Sequence, residues 1–132
     1  LEAIMNHHNE IIKKLKIILA ARIQSALEEI DLQQVPCKGT VGIVTSTRTL
    51  YEIAEDYLTD DNIRRIFDSD IFELYIEHMS KLQVKEIPKA EIFKEDINYY
   101  FNELKFLEKI VPEYWTTRQA SDALIVKVFE AL

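Results

Sequence analysis

Residues Thr59 to Leu82, TDDNIRRIFDSDIFELYIEHMSKL, decide the fold class. Ile63, Ile66, Phe67, Ile71, Leu74, Tyr75, His78, Met79 and Leu82 recur at steps of three and four, the period of one α-helix face. Thr59 offers a hydroxyl to the first-turn amides, and Asp60 and Asp61 place negative charge at the positive end of the helix dipole. Phe72 and Ile76 widen the apolar stripe, so this helix is expected to touch neighbours on at least two sides, as the central rod of a bundle.

The flanking chain repeats the pattern. A helix over Glu2–Ile30 is predicted from Ile4, His8, Ile11, Ile12, Leu15, Ile18, Leu19, Ile23, Ala26, Leu27 and Ile30, with Lys13, Lys14 and Lys16 opposite. Asp31–Thr40 reads as a linker, because Pro36 disfavours helix at Val35 and Gly39 permits a turn. Val41–Leu58 is β-branched enough to resemble a strand locally, but its 3.6-residue period continues through Ile43, Thr47, Leu50, Ala54 and Tyr57. That helix is expected to form an antiparallel hairpin with the central one.

A fourth helix is expected over Ala90–Ile110, opened after Pro88 and stopped by Pro112, with Phe93, Ile97, Tyr100, Leu104 and Leu107 in line. Tyr99, Tyr100 and Phe101 cannot all face one core, so one of them is expected to be exposed. Thr116 and Gln119 have capping-box spacing for a last helix through Leu132, apolar at Ala120, Leu124, Val128 and Leu132. The fold class is therefore all-α, an elongated bundle of about five helices in a single domain over Leu1–Leu132.

Composition narrows function mostly by exclusion. Hydrophobic residues at 48% and charged ones at 30% describe an ordinary folded domain rather than a disordered segment. A net charge of −7 disfavours nucleic acid and anionic membranes as general partners. One cysteine, Cys37, cannot form an internal disulfide and suits a reducing compartment. No apolar run reaches the roughly 20 residues of a membrane span. A chain that opens at Leu1 inside a helical pattern is expected to be part of a longer protein.

No residue is assigned a catalytic, cofactor-binding or metal role. His7 and His8 are adjacent on a helix and point about 100° apart, so His8 reads as part of the apolar face rather than as a ligand. His78 reads as a core histidine. Asp68-Ser69-Asp70 spells the DxD of metal-dependent sugar transferases, but mid-helix rather than at a strand end. Cys37 has no histidine paired to it by motif and sits in a proline-flanked linker. Arg64, Arg65 and Lys81, and separately Lys13, Lys14 and Lys16, are the local basic clusters, read as solvated helix faces.

The run VPCKGTVGIVTSTRTLYEIAEDYLTDDNIRRIFDSDIFELYIEHMSKL, Val35 to Leu82, resembles the C-terminal domain of GARP tethering-complex subunits of the vacuolar protein sorting-associated protein fifty-four family. Val35-Pro36, Ile43, Glu52, Leu58, Phe67, Ile71, Tyr75, His78 and Leu82 carry the likeness. Asp96 with Tyr99 or Tyr100, then Leu104, Leu107 and Tyr114-Trp115 extend it downstream, and Glu10-Ile11 and Leu15 upstream. Thr116–Leu132 is an addition to that pattern. The resemblance implies a helical-rod tether fold and a non-enzymatic role in capturing endosome-derived vesicles at the trans-Golgi network. It further implies a cytosolic protein, peripheral on trans-Golgi and endosomal membranes. The partners implied are the other tether subunits, with SNAREs or endosomal membrane components; no cofactor is implied. Two readings compete with it: an unrelated helical adaptor, and a small helical enzyme or metal protein using His8 and His78.

Overall fold

Five α-helices and no strand make up the described residues of the computed structural model: α1 (Glu2–Leu27), α2 (Lys38–Tyr57), α3 (Ser69–Ser80), α4 (Ile87–Glu103) and α5 (Tyr114–Glu130). A single 3₁₀ turn, Lys105–Leu107, follows α4. Residues 1, 58, 60, 63 and 65–68 lie outside the described set, as do the side chains of residues 2–6, 8, 57, 69, 70 and 114–117. The expectations for Ile4, His8, Tyr57, Leu58, Ile63, Ile66 and Phe67 therefore lie outside the described residues.

The expected all-helical bundle is present. The closest packing of α2 is against α1, with α4 on another side, while α5 lies across α3 and α4. The tight helical pair is α1/α2; the expected hairpin of α2 with the central helix falls largely on residues outside the described set. Gly39 explains how closely they approach. A Cβ there would stand 2.0 Å from the carbonyl oxygen of Ala26 and 2.9 Å from Ile30 Cγ1. Gly39 is not a linker residue: it lies in the first turn of α2, and no glycine has positive φ. The left-handed residue of the α1–α2 connection is Leu32, at φ 55° and buried.

The core is aromatic where α3 meets α4. Phe72, Tyr75, Phe93, Tyr100 and Phe101 are all buried, with the Tyr75 and Tyr100 rings stacked at 3.9 Å between centroids and Phe72 6.2 Å from Phe101. Phe72, expected only to widen the stripe, is at its centre. The expected α4 line of Phe93, Ile97, Tyr100, Leu104 and Leu107 is wholly buried. Of the aromatic triplet, Tyr99 is the outward member and is half-buried.

Several apolar positions lie outside the core, contrary to expectation. Ile11, Ile18 and Leu74 are exposed. Ala120 on α5 and Leu132 beyond its end are exposed, while Ser121 is buried and Leu124, Ile125 and Val128 pack partly against the core, so the inner face is rotated from the expected line.

Boundaries also shift. Pro88 does not precede α4 but sits in its first turn, where the missing N–H has no intrahelical acceptor to lose. α4 ends at Glu103 and tightens: the Leu107 amide donates to the Leu104 carbonyl at 3.0 Å, and Val111 N to Leu107 O at 2.7 Å. α5 begins at Tyr114, so Thr116 is inside the helix and not its cap. α3 as described ends at Ser80, leaving Leu82 beyond it. Thr59 does act as expected, its hydroxyl accepting the Asn62 amide at 3.4 Å.

Candidate interaction surface and the buried polar node

The most polar point of the interior is Asp96, an acidic residue in the apolar register of α4 between Phe93 and Tyr100 and without exposed surface. Its Oδ1 accepts the Cys37 amide at 2.7 Å. Its Oδ2 accepts the hydroxyls of Thr40 and Tyr75, both at 2.7 Å. Cys37 precedes α2 and Thr40 is in its first turn, so Asp96 caps α2 from another helix, where the dipole favours negative charge. Tyr75 adds α3. One carboxylate therefore ties three helices together through short bonds to an acidic acceptor.

On the sequence, Asp96 stands out only through the family likeness. Its signal was an aspartate where the helical period demands an apolar residue, a substitution tolerated only if both oxygens find donors. The node presents nothing to a solute, since Asp96, Tyr75, Thr40 and Cys37 are all buried. Burial, then the charge of Asp96, pushes the Cys37 thiol up to about 12. The same two causes hold the Tyr75 phenol well above its usual range. Raised in this way, the thiol is a poor nucleophile.

The other residues weighed on the sequence are not brought together. His7 is exposed and His78 half-buried, its pKa lowered by burial and then by Lys81. The side chain of His8 and those of Asp68, Ser69 and Asp70 lie outside the described residues. Among the described residues, no group of three histidine, cysteine or acidic side chains has metal-binding geometry. Arg64 is paired with Glu113, and Lys81 with Glu77 at 3.1 Å, so two of the three cations in that cluster already have carboxylates. Lys13, Lys14 and Lys16 are exposed along α1.

The surface offers a cleft around Phe106, a consequence of the 3₁₀ turn after α4. Tyr51 of α2 meets the Phe106 ring edge-on at 4.9 Å, and the Arg48 guanidinium lies 5.9 Å from its centroid. Arg48 is itself held by Glu103, at 2.7 Å to the carboxylate and 3.2 Å to the carbonyl. Two hollows flank the ring. One, of about 340 Å³, is walled by Arg48, Tyr51, Glu52, Glu55 and Lys109. The other, of about 520 Å³, is bounded by Lys105, Glu108, Lys109 and Pro112. Both hollows are broadly open to solvent rather than enclosed.

No helix among the described residues is long and apolar enough to cross a membrane. No family model, curated protein or solved structure matches the chain.

Proposed function

We propose that this chain is a non-catalytic helical interaction domain of a vesicle-tethering subunit, acting at the cytosolic face of trans-Golgi and endosomal membranes through protein partners. One observation carries the non-catalytic part. The most chemically capable interior group, Asp96, has both oxygens engaged by Cys37, Thr40 and Tyr75 and is sealed from solvent. Among the described residues, the surface offers relief and charge around Phe106. The tether part rests on the resemblance carried by residues such as Tyr75, His78, Leu104 and Leu107. Three of these four, Tyr75, Leu104 and Leu107, are wholly buried, which makes the shared pattern one of packing.

The test is to tag the protein at its own locus, immunoprecipitate it from native cells and identify what comes with it by mass spectrometry. Recovery of tether subunits and Golgi SNAREs is expected. Reproducible recovery of partners from unrelated processes would replace the tether by a different helical adaptor.

A further inference from the structure

Charge is unevenly divided along this chain. From Ile11 to Tyr51, most of α1 and α2, six basic side chains stand against three acidic ones, Glu28, Glu29 and Asp31, all in the connection between the two helices. The remaining residues carry ten basic and twenty acidic groups. The α1/α2 pair is thus the positive part of a molecule of net charge −7, and between Glu10 and Glu28 α1 has no acidic residue. Apolar exposure gathers on the same helix. Ile17 is 63% exposed, Ile18 44% and Ile11 36%, on the side of α1 turned away from the buried Ile12, Leu19 and Ile23. By helical spacing Ile17 stands one turn from Lys13 and Lys14, and Ile18 lies between Lys14 and Arg22, all three cations being exposed.

We propose that the outer face of α1 rests on an anionic membrane surface, with Ile11, Ile17 and Ile18 entering the headgroup layer and Lys13, Lys14 and Arg22 meeting the lipid anions. The face is a convex cylinder that interleaves cations with apolar side chains over about three turns. A flat, fluid surface can follow such a face without a fixed register, whereas a folded acidic protein would have to match each position. The isoleucines supply burial, and the long basic side chains lay their stems along them while their heads stay in the polar layer. The acidic remainder of the chain does not oppose this contact. At physiological salt a charge acts over about 8 Å, less than the roughly 10 Å diameter of one helix, so carboxylates behind α1 are screened from the lipid. The proposal goes beyond the tether reading and does not depend on it.

The experiment is co-sedimentation of the purified 132-residue chain with vesicles of phosphatidylcholine alone and of phosphatidylcholine with 30% phosphatidylserine. Sedimentation is expected with the anionic vesicles and not with the neutral ones, and is expected to weaken as salt is raised. Binding is expected to fall about tenfold or more in Lys13→Glu/Lys14→Glu, through charge, and again in Ile17→Ser/Ile18→Ser, through lost insertion. All four side chains are exposed, so both variants are expected to melt like the parent. No sedimentation with the anionic vesicles, equal sedimentation with neutral ones, or undiminished binding by the lysine variant would each overturn the proposal. Loss in the lysine variant with full binding by the isoleucine variant would overturn the insertion and replace it by adsorption through charge alone. These outcomes are separable from the immunoprecipitation, because purified protein and lipid report on α1 whether or not the cellular partners are tether subunits.

Discussion

Asp96 of α4 and Tyr75 of α3 are joined by a 2.7 Å hydrogen bond in which the phenol donates and the carboxylate accepts, with neither side chain exposed. The Tyr75 ring is at the same time stacked on Tyr100, so the bond fixes a ring that packing alone would leave free to slide. Tyr75→Phe keeps the stacking and removes one donor; it is expected to cost about 1.5 to 3 kcal/mol. Asp96→Ala leaves the Cys37 amide and both hydroxyls without their acceptor, and is expected to cost about 3 to 5 kcal/mol. Urea denaturation of the three proteins checks the order. A stability of Asp96→Ala equal to that of the parent would remove the node from the description.

Gly39 and Gly42 lie in the same helix but face different demands. At Gly39 a methyl would run into the backbone carbonyl of Ala26, so Gly39→Ala is expected to cost about 3 kcal/mol or more. At Gly42 the nearest neighbour of a methyl is the Ala26 side chain at an ordinary 3.5 Å. Gly42→Ala is therefore expected to gain up to about 1 kcal/mol from helix propensity. Thermal melts of both variants test the close α1/α2 approach; equal effects would contradict it.

Much of this was written in the sequence, and what was not has physical causes. Period 3.6 gave every helix because burial on one face is a local property of the chain. It gave the buried line from Phe93 to Leu107 entirely, although Leu104 and Leu107 lie past the end of α4. The start of α2 at Lys38 was missed because its cap, Asp96, comes from 59 residues away, and no local pattern announces a distant acceptor. The cleft escaped for a similar reason. Phe106 reads as one more apolar residue until the 3₁₀ turn after Glu103 takes it off the helical line.

Thr47 is fully buried and its hydroxyl has no hydrogen-bond partner among the described residues. Thr47→Val removes the orphaned group while keeping the branched shape. It is expected to raise stability by about 1 kcal/mol, the opposite of the usual effect of a core substitution. A loss of stability measured by calorimetry would mean the hydroxyl is satisfied in solution.

Stability should decline at both ends of the pH scale. In the unfolded chain Cys37 ionises near its ordinary 9.0, whereas in the fold burial and Asp96 push it to about 12. The unfolded chain loses that proton first, so this contribution is full below pH 9 and disappears between about 9 and 12. Tyr75, raised by the same causes, acts with the same sign above its ordinary 10.0. His78 acts in acid: the unfolded chain takes up its proton first, and stability falls as pH drops through and below 6.5. The same burial makes Cys37 unreactive, so a thiol reagent at pH 8 is expected to label it only after denaturant is added. Rapid labelling of the native protein would contradict the buried placement.

The most direct measurement is immunoprecipitation of the protein tagged at its native locus, with the proteins that accompany it identified by mass spectrometry. A tether domain built on a bundle held by Asp96 predicts recovery of tether subunits and Golgi SNAREs. Reproducible recovery of partners from unrelated processes, with no tether subunit among them, would contradict it.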